Sequence, residues 1–479
     1  MRIESLMHFL SLQNFQNYLT KSKLVESPQL QECMVRLQSR GQSIDGLIQE
    51  LENRHLLTPY QIAKLRKRDL EGLLLGRFKL LYRNASGSFA RVFRGCSVDD
   101  GKMVGIKVLR SRWAEDPRKV ALFKREGELG KRLKHKNIVP IYEVGSDGNQ
   151  HYLTMEFVEG GNLRELLKAR GKFSPEEATR YAIDIAEGLE YALSVGLTHR
   201  DMKLTNVLLS AQGIAKLVDF GLAGQDASMK SIDDEVDRAV EYATLERGSG
   251  APDNDPRSDL YFLGAIFYEL LSGKPPYTPS KNKEDRRQYS RYSDVRPLCE
   301  VDPSLPLNLT RIVDQLLCVN PFDRYQTPTE LLRDLRATLG DQAPTGDNSS
   351  QAAGKSTSPT VLCVEERIRH QDSLRQYFSK HGYRVLMLGD FQRALTRLRT
   401  DTPKGLVLMG ATLGADAEAQ FEQALSVCRS SGTSVVFVLS KHQLDLVPKI
   451  ANTAHSRILS DHPVTLRSIR QAFEEMWNV

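Results

Sequence analysis

The side chains best suited to chemistry lie between residues 198 and 221. Asp201, Lys203 and Asn206 share one short polar stretch, and Asp219 follows a few positions later, just before Phe-Gly. The apolar residues between them predict two short strands of a hairpin, which would bring both polar groups to one end of a rigid element. A carboxylate that orients a hydroxyl, with an amide and a second carboxylate that hold Mg2+, suits phosphoryl transfer. The alternative is a hairpin with charged turns and no chemistry.

The sequence of this stretch is THRDMKLTN, and DFG follows it. It resembles the catalytic loop and metal motif of eukaryotic-like (bacterial-type) serine/threonine protein kinases, and the resemblance extends from about Arg77 to about Leu339. The resemblance implies a bilobal α+β protein-kinase fold with ATP and Mg2+ as cofactors. It also implies that a serine or threonine of a protein accepts the phosphoryl group.

The resemblance implies a role for each polar side chain of the stretch. Asp201 would be the catalytic base, and Lys203 would steady the transferred phosphoryl group, as in the Ser/Thr rather than the tyrosine type. Asn206 and Asp219 would act in catalysis by binding Mg2+. Arg200 would be the arginine that can dock a phosphate of the activation segment.

Residues 85–92 occupy the place of the glycine-rich loop, whose family pattern is G-x-G-x-x-G-x-V. Only the middle glycine, Gly87, is present, and Ala85 and Ala90 replace the other two. Glycine lets a backbone approach phosphates closely and adopt positive φ, whereas alanine at positive φ costs about 1 kcal/mol. We therefore expect weaker or slower nucleotide binding at this loop rather than none.

Two charged residues further along are expected to pair. Lys107 matches the strand lysine that contacts the ATP phosphates, and Glu126 matches the helix glutamate that holds this lysine in place. Glu128 is the competing acid, but it falls on another face of the helix. The alternative for Glu126 is an acid on a solvated helix face. Gly105 is small enough to leave room for a purine ring.

The segment Met-Glu-Phe-Val at residues 155–158 resembles the gatekeeper and hinge of the same family. Met155 would be the gatekeeper, and backbone groups of Glu156 and Val158 would bond the edge of the adenine. Val92 and Leu208 would enclose the ring from its two faces. The resemblance thus implies one nucleotide site built from several separate segments.

The segment after Asp-Phe-Gly departs from the family pattern. Ala239 stands where a threonine would brace the catalytic aspartate and lysine, which puts the positioning of a peptide substrate in doubt. Glu246 is retained, and we expect it to form a buried ion pair with Arg324. Asp259 is expected to hold the catalytic loop. The acidic run at 233–235 could replace an activating phosphate, although a solvated loop is the alternative.

Three further segments accompany the kinase-like region of residues 77–339. Residues 1–72 combine helical apolar spacing with Ser and Thr helix starts, which predicts a small all-α bundle that packs on itself rather than a docking helix. Residues 340–359 are polar and predict a flexible linker. Residues 360–479 alternate apolar strands with helices, which predicts a doubly wound parallel α/β sheet.

The pattern of residues 360–479 resembles the flavodoxin-like receiver domain of response regulators. Glu365 and Ser440 follow strands at places where a receiver has a metal-binding acid and a Ser or Thr. Gly410, however, stands where the phosphoacceptor aspartate belongs, and His462 replaces the usual lysine. Because glycine cannot accept a phosphoryl group, we expect a pseudo-receiver that binds a protein partner or the kinase region itself.

Composition limits the remaining possibilities. The 479 residues carry a net charge of +6 in dispersed form, which argues against a nucleic-acid partner. The sequence has no apolar run of about 18 residues, and its start is not typical of a signal peptide. Six scattered cysteines without a CxxC pair fit a reducing cytoplasm. We predict a cytoplasmic, ATP- and Mg2+-dependent protein serine/threonine kinase; the alternative is a weakly active or inactive nucleotide-binding pseudokinase scaffold.

Overall fold

The architecture comes from a computed structural model. The structure describes residues 11–38, 43–54, 56–220, 239–278, 280, 282–340, 359–389, 391–400, 402–448, 453–460 and 463–477. The chain divides into two compact units. The first comprises residues 1–132, 140–157 and 367–373, and the second comprises all other residues. Each unit has hydrophobic clusters of its own.

Four described helices precede the first strand, and they begin where the sequence places Ser or Thr. The hydroxyls of Ser43 and Thr58 accept hydrogen bonds from backbone N–H groups in the first turns of their helices, which would otherwise be unpaired. Apolar side chains at helical spacing, among them Phe15 and Leu51, form one buried cluster. The helices are α1 (Leu12–Lys21), α2 (Ser27–Gln38), α3 (Ile44–Asn53) and α4 (Pro59–Arg66).

An antiparallel sheet with the strand order β1-β2-β3-β4-β6-β5 completes the first unit. A helix, α6, lies close against β5, since a Cβ built on Gly127 or Gly130 would come within 2.5 or 2.4 Å of Val144 or Ile141. The two glycines therefore let this helix approach the sheet. The elements are β1 (Leu74–Leu75), β2 (Phe78–Ser86), β3 (Ala90–Ser97), β4 (Met103–Leu109), α5 (Ser111–Ala114), α6 (Pro117–Arg132), β5 (Ile141–Asp147) and β6 (Gln150–Glu156).

The last of the N-terminal helices is joined to this sheet by a polar and an aromatic contact. The Thr58 hydroxyl donates to the carbonyl of Leu81 in β2 at 2.7 Å. The Tyr60 ring lies 5.6 Å from that of Phe93 in β3. Thr58 therefore caps α4 and at the same time satisfies a buried strand carbonyl.

The first part of the second unit is mostly helical and is built around the helix Pro256–Ser272 (α10), whose residues from Ser258 to Leu271 are all buried. Asp255 caps this helix, and Gly273, with a φ of 74°, ends it. In the described part of the chain, no helix combines the length and the apolar character needed to cross a membrane. The elements are α7 (Leu163–Arg170), α8 (Pro175–Ser194), β7 (Val207–Leu209), β8 (Ala215–Leu217), α9 (Ala239–Ser249), α10 (Pro256–Ser272), α11 (Lys283–Arg286), α12 (Ser290–Ser293), α13 (Leu298–Val301), α14 (Leu307–Leu316) and α15 (Pro328–Thr338).

The C-terminal part forms an all-parallel sheet with the order β10-β9-β11-β12-β13. Neighbouring residues of the strand Thr360–Val364 (β9) belong to different hydrophobic clusters. Leu362 packs with the helices Phe391–Thr400 (α17) and Ala417–Ser431 (α19). Cys363 packs with the helices Ile368–Lys380 (α16) and Leu466–Trp477 (α20). Helices therefore cover both faces of the sheet. The elements are β9 (Thr360–Val364), α16 (Ile368–Lys380), β10 (Arg384–Leu388), α17 (Phe391–Thr400), β11 (Gly405–Met409), α18 (Gly410–Leu413), α19 (Ala417–Ser431), β12 (Ser434–Val438), β13 (Ser456–Leu459) and α20 (Leu466–Trp477).

Candidate catalytic site

One carboxylate from α10 holds the polar loop that follows α8. Asp259 accepts hydrogen bonds from the backbone N–H groups of His199 at 2.7 Å and Arg200 at 2.9 Å. Arg200 has a positive φ of 61°, which costs energy for a residue other than glycine. Because α10 is buried along most of its length, a rigid helix maintains this strained backbone immediately before Asp201.

The side chains of Lys203 and Asn206 converge on Asp201. Lys203 Nζ lies 2.9 and 2.8 Å from the two carboxylate oxygens. Asn206 Nδ2 donates to Asp201 Oδ2 at 2.8 Å and to the Asp201 carbonyl at 2.9 Å. Asp201 is buried, whereas the Lys203 side chain is 46% exposed. The ammonium and the amide together fix the orientation of the carboxylate.

His199 connects this loop to the backbone that leads to Asp219. Its Nδ1 accepts the Asp201 N–H at 3.2 Å, and its Nε2 lies 2.9 Å from the Val218 carbonyl. A carbonyl can only accept, so Nε2 carries the proton and the ring is neutral. Burial lowers the pKa of His199, which favours the same neutral form. The ring also packs 4.6 Å from that of Phe220.

Tyr242 in α9 forms hydrogen bonds to Met202 and Asp259 that the motifs do not predict. Its hydroxyl accepts the Met202 N–H at 3.1 Å and donates to Asp259 Oδ1 at 2.9 Å. The buried ring stacks on Phe262 with centroids 4.2 Å apart. The family pattern G-T-x-x-Y-M-A-P-E, which falls on residues 238–246, has a tyrosine at this position, but a pattern of residue types does not specify which atoms the hydroxyl contacts.

In the first unit, Lys107 in β4 and Glu126 in α6 form an ion pair. Lys107 Nζ lies 2.5 Å from Glu126 Oε1, and both side chains are buried. Glu128 on the same helix is exposed and pairs with Lys131 at 3.2 Å. The structure therefore brings the two residues singled out from the sequence together and leaves the competing acid at the surface.

The loop with two alanines continues the strands that flank it. Ala85 lies opposite Val92 across β2 and β3, and the Gly87 N–H donates to the Ala90 carbonyl at 3.0 Å. None of residues 85, 87 and 90 has a positive φ. The predicted backbone cost of the two alanines does not arise in this conformation, because regular strand geometry suits alanine as well as glycine.

Met155 and Glu156 lie at the end of β6. Gly105 lies opposite Met155 in the neighbouring strand, and a Cβ on Gly105 would be only 3.0 Å from Met155 Cγ. Gly105 therefore accommodates the methionine side chain. The Glu156 N–H already donates to the Pro140 carbonyl at 3.0 Å, so this donor is not available to a nucleotide. The other residues expected to contact adenine are half-buried or buried apolar side chains: Val92, Leu208 and Val158.

The ion pair expected between Glu246 and Arg324 does not form. Glu246 accepts from the Ser258 hydroxyl at 3.0 Å and from the Asn254 N–H at 3.2 Å. Burial raises the pKa of Glu246 and lowers the pKa of Arg324 to about 10, the opposite of what mutual pairing would do. Arg324 donates instead to three backbone carbonyls, those of Cys318, Val319 and Arg257, at 2.5, 2.6 and 3.1 Å.

Part of the predicted activation segment lies outside the described residues. Gly221 and the acidic run at 233–235 belong to this part. The described chain resumes at Ala239, the first residue of α9, so the segment that contains Glu246 is helical.

Comparison with known proteins identifies the family. The protein kinase domain family matches residues 85–334. The chain belongs to the protein kinase family. This match confirms the resemblance inferred from the catalytic-loop and metal motifs.

Individual relatives of this kinase are bacterial. Serine/threonine-protein kinase PknL of Mycobacterium tuberculosis is 35% identical over 292 residues, which cover 59% of this chain and 72% of PknL. A probable serine/threonine-protein kinase of Clostridium acetobutylicum is 32% identical over 264 residues, 55% of this chain and 40% of the relative. The probable serine/threonine-protein kinase PknB of Corynebacterium glutamicum is 32% identical over 273 residues, which cover 55% of this chain and 42% of PknB. The chain thus spans less than half the length of two of these relatives.

Membership of this family implies ATP and a divalent metal, and the kinase has residues that fit both. Asn206 directs its amide hydrogens to Asp201, which leaves its Oδ1 facing away as a ligand for a cation. Asp219 follows β8 with a φ of 62°. Amide and carboxylate oxygens are ligands that Mg2+ prefers. The Lys107 ammonium is suited to an anionic phosphate.

A second group of polar side chains lies at the carboxyl ends of the C-terminal strands. Glu365 follows β9, is buried, and accepts from the Thr412 hydroxyl at 3.0 Å. At the end of β11, a Cβ on Gly410 would lie only 2.4 Å from Gln443 Oε1. Gln443 Nε2 donates to the Gly410 carbonyl at 2.9 Å, so a residue that the sequence did not single out fills the space beside this glycine. His462 lies outside the described residues.

Proposed function

We propose that this kinase transfers the γ-phosphoryl group of ATP to serine or threonine side chains of a protein, with Mg2+ as the metal. The observation that carries the proposal is the buried Asp201 carboxylate, oriented by Lys203 and Asn206 on a loop that Asp259 holds. The names of the relatives, which are serine/threonine-protein kinases, support the class of acceptor.

Each polar residue would act at a defined atom. An Asp201 carboxylate oxygen would accept the hydroxyl proton as the serine or threonine oxygen attacks the γ-phosphorus and the bond to the ADP oxygen breaks. Lys203 would offset negative charge on the transferred group. Asn206 and Asp219 would hold the metal, which neutralises phosphate charge when bound. Lys107, kept in place by its glutamate, would bind the phosphates that stay with ADP.

The alternative of a nucleotide-binding pseudokinase scaffold depended on three alanines. Two of them, Ala85 and Ala90, lie in strand-like backbone that imposes no positive φ. Ala239 is the remaining difference. Because the Lys107–Glu126 ion pair and the Asp201 cluster are both in place, the geometry favours the enzyme.

We further propose that residues 360–479 form a pseudo-receiver that binds a protein partner and accepts no phosphate. The strand order β10-β9-β11-β12-β13 corresponds to 2-1-3-4-5, the order of flavodoxin-like domains, which supports the resemblance. The glutamine beside Gly410 supports the loss of phosphate chemistry. A reducing cytoplasm is the proposed location, because all six cysteines are free thiols.

The transfer proposal is tested by Asp201→Asn in the full chain, assayed with labelled ATP and a generic basic protein substrate. Phosphoryl transfer should fall by about 10²–10⁴-fold, whereas ATP binding should not change, because the carboxylate acts only on the reacting hydroxyl. Asp294→Asn, at an exposed carboxylate, is the matched control and should behave like the parent. Equal transfer by the two variants would contradict the assignment of Asp201.

A further inference from the structure

The hairpin next to the proposed metal site has a tight turn at its far end. Asn206 precedes β7, Asp219 follows β8, and residues 210–213 join the two strands. Within the turn, the Gly213 N–H donates to the Ser210 carbonyl at 2.9 Å, and Gly213 has a φ of 78°. Because each strand has only three residues, a displacement of the turn also displaces the end that leads to the metal ligands.

This turn contacts the C-terminal part of the chain within the second unit. A Cβ built on Gly213 would lie 3.1 Å from Arg384 Nη1 and 3.5 Å from Arg384 Cζ, so the guanidinium at the start of β10 lies directly against the turn. Ala211 packs against the hydrophobic cluster that includes Leu386 of β10. A polar and an apolar contact therefore join the same turn to residues 360–479.

The start of β10 also adjoins a buried acid of the kinase region. Glu177 of α8 is 2% exposed, lies 2.9 Å from Arg170 Nη1, and accepts from the Tyr181 hydroxyl at 2.9 Å. Burial and this carboxylate raise the pKa of Tyr181, whereas the positive charges of Arg170 and Arg384 oppose the rise. A Cβ on Gly382 would lie 3.8 Å from Arg170 Cγ. The residues that lead into β10 therefore contact α7 as well as the hairpin turn.

A further contact of the C-terminal residues lies within the first unit. Gln371 of α16 accepts a hydrogen bond from Arg94 Nη2 in β3 at 3.3 Å, and both residues are buried. The Arg94 guanidinium also lies 5.0 Å from the centroid of the Phe157 ring. Burying a guanidinium and an amide is costly unless they are hydrogen-bonded. The start of α16 is therefore suited to this contact with the kinase region.

We propose that the pseudo-receiver docks on the kinase region of its own chain and restrains the hairpin that carries Asn206 and Asp219. The docking surface consists of the turn 210–213 on one side and the start of β10 on the other. This inference deepens the proposed partner binding by naming the partner, and its kinetic consequence rests on the proposed phosphoryl transfer. When the domain leaves the turn, the hairpin loses the contact with Arg384 and the metal ligands are held less firmly.

A protease site inserted into the polar segment 340–359 of the full chain tests the docking. After cleavage, the two parts of the parent should elute together in gel filtration. In Ala211→Arg they should separate, because a charged side chain would enter the hydrophobic cluster. Gln212→Arg, at the exposed neighbouring position of the same turn, is the matched control and should elute like the parent.

Arg384→Glu is a second variant, on the other side of the contact. It places a carboxylate near the buried Glu177 and should also separate the cleaved parts. Its control is Arg470→Glu, because Arg470 pairs with Glu474 in its own helix. Elution of both cleaved variants as intact complexes would overturn the docking, and so would separation of the cleaved parent.

Hydrogen exchange in the uncleaved chain reports on the hairpin without requiring activity. Exchange of residues 207–217 should become about tenfold faster in Ala211→Arg and Arg384→Glu and stay at the parent rate in the two controls. Residues 405–409 of β11 should exchange at the parent rate in every variant, which shows that the C-terminal sheet remains folded. Unchanged exchange of the hairpin in variants whose cleaved parts separate would overturn the restraint.

The metal dependence of phosphoryl transfer is the kinetic readout. The Mg2+ concentration for half-maximal transfer should rise about five- to tenfold in Ala211→Arg and Arg384→Glu and stay unchanged in the controls. Measurable transfer with the parent Mg2+ dependence in both variants would overturn the coupling to the metal site. Faster hairpin exchange in a chain that transfers no phosphate would support the restraint and refute the proposed function instead.

Discussion

Glu126 and Glu128 show at the residue scale how position on a helix separates two identical side chains. They lie two residues apart on α6, which turns the side chain by about 200° around the helix axis. One carboxylate is buried against Lys107, and the other lies at the surface beside Lys131. The sequence could predict this difference because the family pattern singles out Glu126, and helical periodicity places Glu128 on another face of the helix.

Glu126→Gln should raise the KM for ATP and lower kcat, because Lys107 loses the charge that holds it. The free energy of unfolding should fall by about 2 kcal/mol, since the buried Lys107 ammonium loses the charge of the Glu126 carboxylate. Steady-state kinetics and denaturant unfolding measure both effects. Glu128→Gln is the control on the same helix and should alter neither quantity. If the two variants behaved alike, the buried pair would have no part in nucleotide binding.

At the scale of elements, α9 is where the structure departs most from the motif-based expectation. The helix places Glu246 beside Ser258 and Asn254, while Arg324 is bound by backbone carbonyls. Residue types could not reveal this, because pairing between residues far apart in the chain depends on the path of the backbone between them. For the same reason the contacts of Tyr242 with Met202 and Asp259 could not be predicted, whereas Lys203 and Asn206, which bond to Asp201 within one loop, were predicted by their motif.

A double-mutant cycle tests whether Glu246 and Arg324 contribute independently to the free energy of unfolding. Glu246→Gln and Arg324→Lys should each destabilise the protein, Arg324→Lys more strongly because three carbonyls lose part of their donors. The coupling free energy between them should stay below about 0.5 kcal/mol. Denaturant unfolding of the parent, the two single variants and the double variant provides the four values. A coupling well above that limit would show that the two side chains interact after all.

At the scale of the whole molecule, alternation of strands and helices was enough to predict the parallel sheet of the C-terminal part. The apolar runs at β9, β11 and β12 are each about as long as a strand, and nearly every residue in them is buried. Runs of this kind between helices are typical of a parallel sheet that is covered on both faces. The occupant of the space beside Gly410 could not be predicted. Gln443 lies in a short 3-10 segment after β12, and no periodic pattern specifies where such a side chain points.

The full chain should acquire no acid-labile phosphate when it is treated with acetyl phosphate. Gly410 provides no carboxylate, and Gln443 Oε1 occupies the position that a larger residue there would need. Mass spectrometry under neutral conditions is the measurement, with a phosphorylatable response-regulator receiver treated in parallel as the positive control. An acyl phosphate on Asp416, the nearest downstream acid, or on Glu365 would contradict the pseudo-receiver proposal.

The Thr58 hydroxyl forms one hydrogen bond within α4 and another to β2, which has a practical consequence for anyone who shortens this chain. The family match begins at residue 85, but the Leu81 carbonyl and the Phe93 ring of the sheet are covered by Thr58 and Tyr60 from α4. A fragment that starts at Arg77 would expose both groups to water on the sheet that carries Lys107. Limited proteolysis should therefore find its first resistant boundary ahead of α4, and fragments for crystallisation or inhibitor screening should include that helix.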